Sequence, residues 1–440
     1  LPRAWESLAA SVSEDETAIL RTKVTKLVGL LIEAGALRIP VGSRLRIESS
    51  MGKTLPVECV GFSESGILLM PYGMLEGVAP GDPVIFETER QFVSVGDELL
   101  GHVLDGAGEL IDGSSLVLKE KAALYKSSPP ALERSNEKTP FYTGVKAWDR
   151  FMSMGIGQRM GIFAGTGVGK SMLLGMIARG SSSDVNVLAL VGERGHEVKE
   201  FMESVLGEEG MKKTVLVVAT SDQSPLMRMR AAFVAKAVAE YFAGQGKDVL
   251  FMMDSVTRMA MAMRELGLSI GEPPTAKGYP PSVFATLPRL LERAGRFGAG
   301  SITSVITVLL EGDDLQDPIG DAVRGILDGH VVLDRDLANR GHFPAIEVTQ
   351  SISRWMSEIA EPLDAELSLR GRKILADYKS AEDLINVGAY VQGSNPDIDE
   401  AIAFRPRLMD FLQQSVHGGA VPEEQRSQLM SVLGVNGAES

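Results

Sequence analysis

Residues 161–180 read GIFAGTGVGKSMLLGMIARG: a short apolar run, a glycine-punctuated bend, a lysine with a serine, then apolar residues at helical spacing. Such a string belongs at a strand–loop–helix junction. Glycines let the bend turn tightly and bring backbone N–H groups close to a ligand. Those N–H groups, with the first ones of the following helix, converge on an anion and form a phosphate cradle. The general pattern is Gly, four residues, Gly, Lys, then Ser or Thr. Here Ala164 stands first, Gly165, Thr166, Gly167 and Val168 fill the loop, and Gly169, Lys170, Ser171 and Met172 lead into the helix. Alanine is tolerable at the first position unless that residue needs positive φ. Lys170 is expected at the β and γ phosphate oxygens of a nucleotide such as ATP, and Ser171 on Mg²⁺. A dinucleotide fingerprint would need a third glycine where Lys170 stands, which disfavours NAD and FAD. The plainer alternative is a glycine turn capping a buried helix, its lysine reaching to solvent.

The surrounding pattern supports the cradle. Apolar runs at 160–163, 185–191, 215–219, 249–253, 304–310 and 331–333 alternate with helical stretches. Continuous rather than alternating apolar strands suit a parallel sheet covered on both faces, whose ligands bind at the carboxyl ends of the strands. One run, DVLFMMDSVTR, ends in Asp254, the expected Mg²⁺-side carboxylate. Another, VLALVGERGHEV, ends in Glu193 and Arg194. Glu193 there can orient and deprotonate an attacking water, or belong to a solvated Glu-Arg turn. His196 close by reads as loop packing or a hydrogen-bond donor, and no Cys, His and carboxylate group has zinc spacing.

The rest of the chain divides by texture. Leu1, Trp5, Leu8 and Val12 form an apolar stripe, open to partner docking or to local packing. From Val24 to about Glu89, short β-like segments broken at Gly42, Gly52, Gly61, Gly66, Gly73, Gly77 and Gly81 predict a small closed barrel or sandwich. Residues 103–140 carry turn signals at Asp105-Gly106 and Asp112-Gly113, then Pro129, Pro130 and Pro140, and read as a connector. After Arg354 the spacing is helical to the end. A chain of 440 residues needs several domains. Its formal charge of −14 disfavours a nonspecific grip on nucleic acid or anionic membrane. The one cysteine, Cys59, in an alternating segment, reads as a core or sheet residue of a reducing compartment. No apolar run reaches membrane-spanning length and no signal peptide is evident, so a cytoplasmic location is expected. The chain starts at Leu1, and native residues are expected to precede it.

Five ordered blocks, GQRMGIFAGTGVGKSMLLGMIAR, VGERGHEVKEF, GEPPTAKGYPPSVFATLPRLLERAG, SITSVITVLLEGDDLQDPIGD and HFPAIEVTQSISR, closely resemble the flagellar and virulence type III secretion ATPases, relatives of the rotary ATP synthase catalytic subunit. The resemblance runs from about residue 24 to 410 and implies an α/β fold: a RecA-like P-loop NTPase core with a parallel sheet, an N-terminal β-barrel and a helical C-terminal domain. The implied domains are 1–20 for docking a stator-like regulatory protein, 21–92 for the barrel, 93–355 for the ATPase core and 356–440 for the helices. It implies a homohexamer with ATP between subunits, Lys170 and Ser171 on phosphate and Mg²⁺, Glu193 on the attacking water, and Asp254 on the metal side. Arg194 would hold the neighbouring polar network or sense the nucleotide state. Arg354, closing SISR, matches the arginine that relatives present to a neighbour's nucleotide, the alternative being an interdomain salt bridge. Phe343 matches an aromatic on adenine, tyrosine in the synthase, or else packs in a core. Tyr279 and its prolines either face the central opening or form a rigid corner.

The same resemblance implies ATP-driven flagellar protein export with chaperone release and substrate unfolding, virulence secretion being the alternative. Partners would be a central stalk protein, export-gate membrane proteins, substrates and chaperones, at the cytoplasmic face of the inner membrane and with no nucleic acid. The acidic helical segment of the synthase subunit is missing, and the loop wording AGTGVGKS is nearer the export enzymes. An RNA-translocating hexamer would need basic groups and exposed aromatics in its N-terminal domain. Residues 24–89 hold more acidic than basic side chains and only Phe62, Tyr72 and Phe86 as aromatics. A noncatalytic ring subunit would generally lack a carboxylate at Glu193.

Overall fold

The computed structural model describes residues 20–435 apart from 89–90, 136, 311, 313, 315, 417 and 420. The stripe from Leu1 to Val12 lies outside the described residues. The chain forms two compact units, one running through Gln91 with Leu268–Glu272, the other taking Phe92–Gly267 and everything from Pro273.

The first unit holds a closed antiparallel barrel of β1 (Arg21–Val28), β2 (Leu31–Gly35), β3 (Arg44–Glu48), β4 (Thr54–Ser63), β5 (Gly66–Pro71) and β6 (Pro83–Thr88), in the order β1-β2-β5-β4-β3-β6. Closure decides between barrel and sandwich. Alternation is plain on β3, where Leu45 and Ile47 are buried among Val24, Ile32, Val57, Cys59, Ile67 and Val84, while Arg44 and Arg46 reach Glu87 on β6. Two glycines behave differently from their sequence reading. Gly29, at φ 60°, turns the chain between β1 and β2 inside VTKLVGLLIE, a break hidden by its apolar flanks. Gly61 is no break but sits inside β4 beside a register shift.

The second unit is built on a nine-stranded sheet. Its main path is β14-β13-β8-β12-β11-β9-β10-β7, from β7 (Val103–Asp105), β8 (Arg159–Ala164), β9 (Val185–Val191), β10 (Thr214–Ala219), β11 (Asp248–Asp254), β12 (Gly300–Leu309), β13 (Gly329–Val332) and β14 (Ile352–Ser353). All pairs on that path are parallel except β13 with β14, and Gly295–Phe297 adds an antiparallel strand against β12. Every residue of β9 and of β10 is buried, as a sheet covered on both faces requires. The span read as a connector contributes β7, an edge strand three residues long that ends where Asp105 accepts the N–H groups of Ala107 and Glu109. It is too short to show periodicity.

The helices that matter below are α1 (Lys146–Phe151), α2 (Lys170–Gly180), α3 (Gly195–Glu200), α4 (Pro225–Gly244) and α5 (Val256–Ser269). The C-terminal part is helical: α6 (Pro362–Asn386), α7 (Pro396–Leu412) and α8 (Pro422–Val432), each opening on a proline whose missing N–H is one the first turn leaves free anyway. A buried polar knot ties these helices to α1 and the segment before it. Asp149 of α1 accepts from Thr143 N and Oγ1 at 2.8 and 2.7 Å and from Gln425 Nε2 at 3.2 Å. Beside it, Arg150 and Arg426 both reach Asp364, at 3.0 and 2.6 Å. Among the described residues no helix is long and apolar enough to cross a membrane.

Candidate functional site

β8 ends at Ala164, the loop runs through Gly169, and α2 begins at Lys170. Gly167 and Gly169 take φ of 77° and 89°, which side chains resist, whereas Ala164 is not among the positive-φ residues. The alanine at the first position of the pattern therefore costs no strain. Val168 is buried and pins the loop from below, while Thr166, Gly167, Ser171 and Met172 face outward.

Parallel pairing brings the other strand tips alongside. β12 lies between β8 and β11, so Asp254, at the end of β11, stands at the same carboxyl edge as the loop. Its buried carboxylate lies 3.4 Å from Lys170 Nζ and accepts a 2.7 Å hydrogen bond from Thr307 Oγ1. Gly192, at φ 73°, turns the chain out of β9 and delivers Glu193. Arg258, in the first turn of α5, holds Glu193 Oε2 at 3.2 Å and donates to the Gly192 carbonyl. Burial, a hydrogen bond with Glu197 and the Asp254 charge push the Glu193 carboxyl up to about 8. The same hydrogen bond holds Glu197 below its ordinary range. Arg194 is largely exposed and pairs with Glu197 at 3.3 Å.

These groups surround one cavity of about 470 Å³, lined among others by Gly167, Lys170, Ser171, Glu193, Glu197 and Arg258. That volume is in the range of small-ligand sites. A glycine loop, a lysine and a helix N-terminus at one end, with a half-buried carboxyl across from them, can hold a polyphosphate and address a water at its terminus. Ser171 on the cavity lining and Asp254, paired with Lys170 behind it, are hard oxygen donors, few in number, which fits Mg²⁺, an ion that completes its shell with water and phosphate.

Phe343 is close by. It is 43% exposed, and a Cβ on Gly169 would stand 3.3 Å from its ring, so the aromatic face borders the loop rather than a core. Gln414 N donates to its carbonyl at 3.0 Å. Arg354 is elsewhere. Its N–H bonds the carbonyl of Asp328, whose carboxylate grips Arg159 at the start of β8, the end opposite the loop. Six residues of strand, roughly 20 Å, separate the two ends. Tyr279 is buried, its ring edge-on to Phe284 and under Arg264 at 4.9 Å. His196 is exposed on the first turn of α3 rather than packed in a loop. Sequence reading passed over Arg258, Glu197 and Thr307. Arg258 alone carried a signal, four residues after Asp254 and thus in the first turn of the element that follows the strand.

Comparison with known proteins agrees with this geometry. The profile of the ATP synthase alpha/beta family, nucleotide-binding domain, matches residues 144–353, and that of the T3SS EscN ATPase C-terminal domain matches 360–431. The chain is 50% identical over 415 residues to the flagellum-specific ATP synthase of Bacillus subtilis, covering 94% of this chain and 95% of the relative. It is 47% identical over 394 residues to the type 3 secretion system ATPase of Xanthomonas euvesicatoria, covering 89% of each. Its structure is similar, at a TM-score of 0.87 and 42% identity over 94% of this chain and all of the other, to the assembled ATPase EscN of enteropathogenic E. coli in complex with its central stalk EscO. The chain belongs to the flagellar and type III secretion ATPases, ATP-hydrolysing relatives of the ATP synthase alpha/beta subunits.

Proposed function

We propose that this chain is the catalytic subunit of a homohexameric ring that hydrolyses Mg-ATP to energise flagellar protein export, with chaperone release and substrate unfolding. The carrying observation is that Glu193, held by Arg258, lines the same cavity as Lys170, whose ammonium pairs with the buried Asp254. Phosphate oxygens compete with Asp254 for Lys170, which at 3.4 Å is loosely held and free to turn toward them. Gly165 to Ser171 wrap the β and γ groups, and Phe343 stacks on the base. Ser171 and Asp254 would hold Mg²⁺, which would supply positive charge to offset that of the phosphates. Glu193, once ionised, orients a water and takes its proton as the γ-phosphorus–oxygen bond to ADP breaks. Arg258 fixes that carboxylate, and Arg194 steadies Glu197 beside it.

Arg354 lies at the far end of its own sheet, so it serves a neighbour's nucleotide, where a guanidinium neutralises developing phosphoryl charge. The domain divisions near residues 20, 92 and 355 remain our reading. So do a central stalk like that of EscN, a regulatory protein on the N-terminal segment, export-gate proteins at the inner membrane, and a place at its cytoplasmic face. Virulence secretion is the second reading, favoured by the nearly equal identity of the Xanthomonas relative.

Mixing subunits tests the shared site. Glu193→Gln and Arg354→Ala rings should each be inactive while still binding ATP, and mixed rings should recover part of the activity. No recovery, with mixed assembly shown by crosslinking, refutes a site divided between subunits. Complementation of a flagellar export deletion against a virulence secretion deletion separates the two branches.

A further inference from the structure

β12 carries GSITSVITVL through the middle of the sheet and is buried along nearly its whole length. A threonine suits a strand by its branched Cβ, but its hydroxyl must find a partner when buried. Thr307 is fully buried, pairs with Ile162 of the phosphate-loop strand, and places Oγ1 2.7 Å from Asp254 Oδ1 and 3.1 Å from the Met253 carbonyl. One hydroxyl proton serves one acceptor well, and the carboxylate is both nearer and charged. Two residues on, Leu309 N donates to Thr257 Oγ1 at 2.9 Å, so the turn after Asp254 is fastened to β12 twice.

We propose that Thr307 is a positioning residue for ATP hydrolysis. It occupies Oδ1 of Asp254 when Lys170 leaves for phosphate, and so leaves Oδ2 as the oxygen that would help hold the metal ion. The proposal rests on the nucleotide-site reading above. Groups behind a metal-side ligand typically contribute 10- to 100-fold to metal affinity or activity. The effect should therefore fall on the metal-dependent part of nucleotide binding and leave the cradle untouched.

The test is a Mg²⁺ titration of fluorescent ATP-analogue binding to the full-length wild type, Thr307→Val, Thr307→Ala and Thr307→Ser. In the valine variant the Mg²⁺ midpoint should rise about 10- to 100-fold, metal-free binding should stay unchanged, and serine should return the midpoint close to wild type. Alanine carries the comparison should valine fail to fold. An unchanged midpoint in a folded variant, or equal loss of metal-free and metal-dependent binding, overturns the proposal. A wild type with no Mg²⁺-dependent binding overturns the nucleotide-site reading instead, which separates the two failures.

Discussion

Glu193→Gln probes the one carboxyl in the site whose proton is held tightly. Burial comes first among the causes, then the hydrogen bond with Glu197 and the charge of Asp254, and together they move Glu193 from 4.5 to about 8. Between those values the folded protein keeps a proton that the unfolded chain has released. The stabilisation is complete below the unfolded value and is lost as pH rises through the folded one. A fully developed difference of one proton gives about 1.4 kcal/mol per pH unit, so from pH ~5.5 to ~7.5 the wild type loses on the order of 1–3 kcal/mol, after allowance for solvent screening, that an uncharged glutamine does not. Glu197, shifted downward, titrates below that window. Urea unfolding of nucleotide-free wild type and variant, followed through the transition of the nucleotide-binding unit at each pH, should show the gap widening toward neutrality in favour of the variant. A gap independent of pH over that window would mean that Glu193 is ionised throughout, and the account of its environment would fall. The variant should still bind ATP, with turnover reduced about 10²- to 10⁴-fold.

Phe343→Ala should weaken ATP binding by ~1–3 kcal/mol, the usual worth of a base on an aromatic face, while Phe343→Tyr stays near wild type. Equilibrium binding of a fluorescent ATP checks both, and an unaffected alanine variant would return Phe343 to a packing role. Lys236 of α4 is fully buried, its Nζ lies 3.7 Å from the Phe251 ring, and no hydrogen-bond partner meets it among the described residues. Burial holds its amine well below the ordinary lysine range. Lys236→Met should raise the urea midpoint by an amount worth ~1–3 kcal/mol, and a lower midpoint would show that the amine has a favourable role.

Legibility followed the range over which each feature is encoded. Lys170, Ser171 and Asp254 stand out because a strand, a turn and a helix N-terminus are specified within a few residues. Cys59 lies in the barrel core, one of the two places its sequence context allowed, and Glu58 beside it is buried as well. The β7 strand and the Gly29 turn escaped, the first because three residues carry no period and the second because apolar neighbours cover it. Thr307 gives no sign in SITSVITVL, since its value lies in what the adjacent strand presents.

The sequence by itself determined the local chemistry: a glycine bend with two left-handed positions after an apolar strand, a lysine at the helix mouth, and acidic residues at two strand ends. Only the tertiary structure decided which of these meet. Parallel strands joined by helical crossovers can be ordered in many ways, and it is the insertion of β12 between β8 and β11 that sets Thr307 against Asp254 and Asp254 against Lys170. The same ordering sends Arg354 to the opposite end of β8, because β14 runs antiparallel to β13 and ends beside Asp328. Strand order is a global outcome of packing both faces, and no window of the chain contains it.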